Sequence, residues 1–284
     1  MPPHSQITVP IVMIVIGAGA LHAIWNAIAK YLDDRLAAFA LIGIASMLGG
    51  GAVLALTGLP RGAAIPFVVA SAVIHIGYEL ALMNSYRLGA FNQVYPIARG
   101  TSPLVVALGA FVLAGEHLSA VALAGVAVLA AGLASLALSS GRLTRSELPA
   151  VTAAVITGLV IAGYTIVDGL GVRRADDPYA YAGLLFLLMG PVFPVVAFWR
   201  RPGFSWLTGS AAGKGLLAGA LSLVAYGTVL WAQTRAPLAE VAAIRETSVV
   251  FAALIGMRLF AERFGIRRMA AATLVAAGIV LISA

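Results

Sequence analysis

The chain has 284 residues, of which 61% are hydrophobic and 10% charged, with 18 Lys plus Arg against 11 Asp plus Glu for a net charge of +7. Soluble domains carry about 25% charged and about 45–50% apolar residues, so a soluble enzyme and a disordered chain are both excluded. The absence of cysteine excludes a disulfide scaffold. The basic residues stand singly or in pairs between apolar runs, which suits orientation in a membrane and not the phosphate-binding face of a nucleic-acid partner.

A membrane-crossing helix needs about 20 largely apolar residues. Ten such runs follow one another, at about 8–29, 36–57, 65–86, 91–114, 118–138, 148–170, 179–199, 213–234, 238–260 and 266–283. Helix breakers and charges mark the joints, as in Gly58-Leu59-Pro60-Arg61 and Arg173 to Pro178. The longest joint, Ser139 to Leu148, divides the chain near its middle. The first run is too long for a signal peptide, and no Lys or Arg precedes it. Solid Ala, Leu, Val and Gly runs lack the alternation of a β-barrel. The expected fold is an all-α integral membrane protein of ten transmembrane helices.

Self-comparison at an offset of 146 residues aligns Arg99-Gly100-Thr101-Ser102 with Arg245-Glu246-Thr247-Ser248, Glu116 with Glu262, and Ala130-Ala131-Gly132 with Ala276-Ala277-Gly278. Equivalent residues lie five crossings apart, so the halves are inverted repeats. We divide the chain into a first five-helix repeat (1–140), a connection (141–149) and a second repeat (150–284). Loop charge agrees: twelve Lys and Arg fall on one side, including Lys30, Arg87, Arg145 and Arg263, against Arg61, Arg173, Arg174 and Arg235 on the other. The positive-inside rule puts the richer side in the cytoplasm and both termini outside. Inverted repeats are frequent in secondary transporters, with the substrate site near the midplane between them.

Charges at membrane depth are costly and concentrate at functional sites. Five lie well inside the runs: Glu79, Arg99, Asp168, Arg245 and Glu246. Tyr95, Arg99 and Ser102 share one helix face, and Pro96 can kink or open that helix. Arg99 suits a substrate carboxylate, or else is a structural Arg satisfied by helix-end carbonyls or an acid. Arg245 adjoins Glu246, favouring a structural ion pair, and Glu246 replaces Gly100 in the repeat. Two further patches have helical spacing, His22, Trp25 and Asn26 in run one and His75, Tyr78 and Glu79 in run three. Tyr164, Thr165 and Asp168 in run six and Tyr226 in run eight complete the candidate substrate-binding set. Trp199, Tyr86 and Trp231 read as interfacial belt. Asp168 and Glu79 are the candidates for proton coupling, the alternative being permanent pairing. Glu116 and Glu262 read as caps of the helices that follow them, and Asp33 and Asp34 as solvated loop. Pro191 and Pro194 should bend run seven.

The hairpin Val112-Leu113-Ala114-Gly115-Glu116-His117-Leu118-Ser119, with Ala131-Gly132-Leu133 after it, resembles the "LLGE-x-L-S … G" signature of EamA-type transporters in the drug/metabolite transporter superfamily. Phe260-Ala261-Glu262-Arg263-Phe264 resembles a second copy, and Leu21-His22-Ala23-Ile24-Trp25-Asn26 through Lys30 resembles the first helix of the family. The resemblance implies a ten-helix exporter of small metabolites in a bacterial inner membrane, without cofactor, with YddG-like aromatic and amino-acid exporters among its branches. Many relatives place both termini inside, and the loop charges depart from that.

A pocket with arginine, acids and aromatic faces could hold an amino acid, as carboxylate on Arg and ammonium on carboxylates and rings. The partners are then a small-molecule substrate and the bilayer, and a monomer is compatible with the reading. The rival within transporters is efflux of lipophilic cations or drugs, which Arg99 disfavours. An intramembrane enzyme is the remote alternative, since H-E-x-x-H is absent and no glycine-framed serine marks a nucleophile. For topology, a C-terminal fusion to a reporter active only outside the cytoplasm should give signal, and activity of a cytoplasm-only reporter there would overturn the orientation.

Overall fold

The computed structural model describes residues 7–283 apart from 33, 90, 138–143, 201–206, 208 and 261–265. The described residues form twelve α-helices and two short 3₁₀ turns, with no strand among them. In chain order these are α1 (Val9–Tyr31), α2 (Arg35–Thr57), α3 (Ile65–Leu88), α4 (Phe91–Ala114), α5 (Ala120–Ala137), α6 (Leu148–Val172), α7 (Pro178–Met189), α8 (Val192–Arg200), α9 (Gly209–Gln233), α10 (Leu238–Arg245), α11 (Ser248–Phe260) and α12 (Ile266–Ile282). All ten apolar runs are helical, run seven being split into α7 and α8 and run nine into α10 and α11. Seven helical stretches are long and apolar enough to cross a membrane, and Ala120–Ser135 and Ala270–Ile282 are shorter apolar helices.

Local chemistry marks where the helices begin. Pro10, Pro66, Pro149 and Pro178 lie in first turns, where the missing N–H costs nothing. Asp34 is not simply solvated loop: its carboxylate accepts the Ala37 N–H at 3.1 Å and caps α2. Asp177 does the same for α7 through the Tyr179 N–H at 2.8 Å. Run seven breaks at Gly190-Pro191, as its prolines lead one to expect. Pro96 opens nothing, because α4 runs unbroken through both Pro96 and Pro103. The break falls instead in the repeat mate of α4, at Glu246-Thr247. Glu262, Asp33 and the first three residues of the central connection (141–143) lie outside the described residues.

The polarity of the bundle is inside out for water but right for lipid. Leu48, Val73, Leu108, Phe111 and Val195 are each more than half exposed. Arg99, Asp168, Gln233, Arg245 and Glu246 are among the most deeply buried side chains.

The halves interlock. α1 packs on α9, α10 and α11, and α6 packs correspondingly on α3 and α4. α2 packs on α9 as α3 does on α7, while the α2–α7 and α5–α12 pairs map onto themselves when run n is exchanged for run n + 5. Helices α1 and α6 thus each pack mainly on helices from the other half of the sequence.

Small residues permit the close crossings. α5 and α12 meet at Gly125 and Gly278, where a Cβ on either residue would lie 2.8 Å from the carbonyl oxygen of the other. On α6, a Cβ at Gly158 would lie 2.6 Å from the Ala98 carbonyl oxygen, one residue from Arg99. Gly158→Leu should therefore cost about 1–3 kcal/mol by overpacking, read as a lower thermal unfolding midpoint of the detergent-solubilised protein.

Candidate functional site

The interior charges converge. Glu246, at the break between α10 and α11, is fully buried and faces two guanidinium groups. Arg99 Nη1 on α4 donates to both of its carboxylate oxygens at 3.3 Å, and Arg245 Nη2 donates to Oε1 at 3.2 Å. These contacts exceed the 2.7–2.9 Å of a strong charge-assisted bond. Neither Arg99 Nε nor Arg245 Nε has a partner among the described residues. One carboxylate therefore serves two cations, leaving the trio with one excess positive charge and donors in reserve.

Each arginine also meets the first helix of a half. Arg99 Nη2 contacts His22 Nε2 on α1, and Arg245 Nη2 donates weakly to Thr165 Oγ1 on α6 at 3.5 Å. Trp25 Nε1 donates to His22 Nδ1 at 3.2 Å. A neutral imidazole has one lone pair to offer, so Trp25 and Arg99 compete for it. Asn26 turns back on its own helix, donating to the His22 carbonyl at 2.9 Å.

Glycine packing explains why only one half carries the acid. A Cβ at Gly100 would meet Leu133 Cβ at 3.1 Å and the Ala130 carbonyl at 3.5 Å, so α5 leaves no space there for a glutamate side chain. At the equivalent position of the second half the helix is interrupted, and Glu246 enters the interior.

A second cluster adjoins the first. Asp168 on α6 is fully buried and accepts from Tyr181 Oη at 2.9 Å and from Tyr226 Oη. The His75 and Tyr164 rings stack at 3.9 Å between centroids, and Tyr226 lies edge-on to His75 at 5.3 Å. Tyr164 also meets Tyr78 edge-on at 5.4 Å, and the Arg245 guanidinium lies 6.0 Å from its ring centroid. Tyr164 therefore joins the two clusters. Tyr95 lies under Arg99, 5.3 Å from the guanidinium carbon. Glu79 on α3 has no hydrogen-bond or ion-pair partner among the described residues. The hydroxyls of Ser102, Thr247 and Ser248 are buried and unpartnered on the same basis.

Several polar residues with roles carry little signal in the sequence. Tyr181 is one, two positions into an apolar run after Tyr179. Glu240 is another, 5% exposed and accepting the Ile7 N–H at 3.3 Å. Its place in the first turn after Pro237 was the available signal. Glu116 does not cap α5, because Ser119 does so by accepting the Ala122 N–H at 3.0 Å. The longer Glu116 side chain reaches across to Arg173 at 2.6 Å and to the Leu238 N–H of α10 at 2.8 Å. Trp199 is 81% exposed at the end of α8, as a belt residue would be. Trp231 is half-buried against the core, with Arg235 5.0 Å from its ring centroid. Among the described residues no group of His, Asp and Glu could hold a metal ion.

Residues 148–284 match the EamA-like transporter family. A crystal structure of another protein is similar over 96% of this chain and 97% of its own, with a TM-score of 0.78 at 18% identity, a likeness of fold. Among curated proteins none matches the chain.

Two substitutions separate paired from unpaired charge. Glu246→Gln strands two buried guanidinium groups and should cost about 3–5 kcal/mol. Glu79→Gln removes no hydrogen-bond or ion-pair partner and should cost less than Glu246→Gln. Thermal unfolding in detergent would rank the two.

Proposed function

From the premise that the chain carries an EamA-like transporter family domain over residues 148–284 and is a multi-pass membrane protein, we propose that it exports amino acids by alternating access across a bacterial inner membrane. The observation that carries this reading is the excess positive charge where Arg99 and Arg245 share Glu246. A substrate carboxylate arriving there neutralises that excess. It also accepts from the guanidinium donors that Glu246 leaves in reserve, as charge-assisted hydrogen bonds. Where His22 carries its proton on Nε2, the same carboxylate relieves the opposition of two N–H donors between His22 and Arg99.

The ammonium end needs acceptors and electron-rich faces. Asp168 and the rings of Tyr78, Tyr164 and Tyr226 supply them, Tyr164 reaching towards Arg245, and Glu79 adds a carboxylate next to Tyr78 on α3. Aromatic side chains of the substrate would find stacking partners in His75 and Tyr164. Glu79, with no fixed partner, is the group best placed to exchange a proton as substrate enters and leaves. In this scheme the repeats 1–140 and 150–284 exchange conformations as they rock, with 141–149 connecting them and both termini outside. Because α1 and α6 each sit in the opposite half, their movement carries His22 and Asp168 relative to Arg99 and Arg245. A lone chain contains every group the scheme needs.

The competing reading is efflux of lipophilic cations, which the carboxylates and tyrosines favour and the arginine pair opposes. Purified protein in liposomes, offered a panel of amino acids and quaternary ammonium dyes with and without a pH gradient, separates the two. We expect amino-acid counterflow. Arg99→Ala should reduce it on the order of tenfold or more, the scale of losing one arginine–carboxylate contact. Glu79→Gln should reduce gradient-driven flux while the protein keeps its stability. Dye uptake without amino-acid flux would overturn the proposal.

A further inference from the structure

The end of the bundle that bears the N-terminus is tied shut by a buried polar network running only between elements far apart in sequence. Arg173, at the C-terminal end of α6, donates from Nη1 to Glu116 Oε1 at 2.6 Å, from Nε to the Gln233 carbonyl at 2.8 Å and from Nη2 to the Ala236 carbonyl at 2.8 Å. The other oxygen of Glu116 accepts the Leu238 N–H at 2.8 Å, at the start of α10. One ion pair thereby joins the α4–α5 hairpin, the end of α6 and the α9–α10 joint. Gly115, with φ of +67°, ends α4 in the left-handed region and turns Glu116 towards the second half. Arg61 and Asp176 bridge the remaining joint at this end at 2.6 Å, though exposed to solvent.

The network overlies the central site. Leu238 and Glu246 are separated by the single short helix α10, a rise of about 12 Å. A displacement of Leu238 is therefore carried to Arg245 by one helix of eight residues.

One feature of this end is unfinished. The Gln233 side chain is fully buried, yet neither amide atom has a partner among the described residues. An unmade hydrogen bond at a buried group costs more than a made one contributes, so an arrangement that satisfies Gln233 is an available alternative. Its own backbone carbonyl is held by Arg173, which keeps the amide within a side chain's reach of the ion pair.

We propose that Glu116 and Arg173 form the gate latch at the termini-bearing end, and that the Gln233 amide takes over one of the separated partners when the gate opens. This rests on the transporter reading, though not on which substrate is carried. In the closed arrangement the charges pair with each other and hold the three joints together. When they separate, the amide can donate to the Glu116 carboxylate or accept from the Arg173 guanidinium. The charge that the amide takes over is then not left buried without a partner, which lowers the cost of the separation and makes it reversible.

The natural absence of cysteine makes the test direct. Ser248→Cys places a thiol in the buried interior, and Ala63→Cys, at an exposed position on the same end, marks the side. Labelling by a membrane-impermeant maleimide applied to the marked side reports opening and requires no substrate, so failure of amino-acid flux leaves the result readable. In the Ser248→Cys chain, Glu116→Gln and Arg173→Lys should each speed labelling on the order of tenfold or more. Arg173→Lys keeps the charge while losing the fork, so it decides the matter if Glu116→Gln fails to fold by gel filtration. Gln233→Leu should slow labelling several-fold, because the open state loses its partner. Rates in Glu116→Gln and Arg173→Lys equal to that of the parent would overturn the latch, and an unchanged or faster rate in Gln233→Leu would overturn the role of its amide.

Discussion

A buried carboxylate between two guanidinium groups sets the terms for the rest of the molecule. In a low-dielectric interior an unpaired charge is costly, and pairing with an opposite charge reduces that cost. Glu246 makes Arg99 and Arg245 tolerable together, and it draws α4, α10 and α11 to a common point. Because it serves two cations at 3.2–3.3 Å, it leaves a site that still favours an anion.

The helix break at Glu246-Thr247 belongs to the same constraint. A continuous helix like α4 directs its side chains according to the 3.6-residue period, whereas an interrupted one can turn consecutive charges inwards. The two halves therefore differ where the chemistry is concentrated, α4 remaining unbroken through two prolines while its mate breaks without one. Gly19 of α1 accommodates the break closely: a Cβ there would lie 2.6 Å from Thr247 Oγ1 and 3.2 Å from the Arg245 carbonyl. Packing around the site is thus specific to the asymmetry.

The gate network follows the same rules at the end of the bundle. Arg173 and Glu116 are 8% and 6% exposed as side chains, and every bond they make joins different elements. A joint rich in such bonds is stiff while intact and loosens as a unit. That coupling gives a transporter two discrete arrangements in preference to a continuum.

Much of this was legible in the residues. Ten apolar runs, the repeat at Arg99 and Arg245, and the five interior charges could all be read directly, because the cost of polarity in lipid is local and leaves its mark on composition. Glu240 is not marked out by its sequence, because an acid in a helix's first turn looks the same whether it is solvated or buried. Glu116 looks like a local cap in the sequence because spacing reveals only neighbours along the chain, and its partners lie 57 and 122 residues away. The sequence by itself determined the helical class, the ten apolar runs and the charges that had to be satisfied within the bundle. Only the tertiary structure decided which charges meet, which end is latched, and that α1 and α6 cross into opposite halves, since these depend on close approaches at residues such as Gly100 and Gly158 that hydrophobic periodicity does not encode.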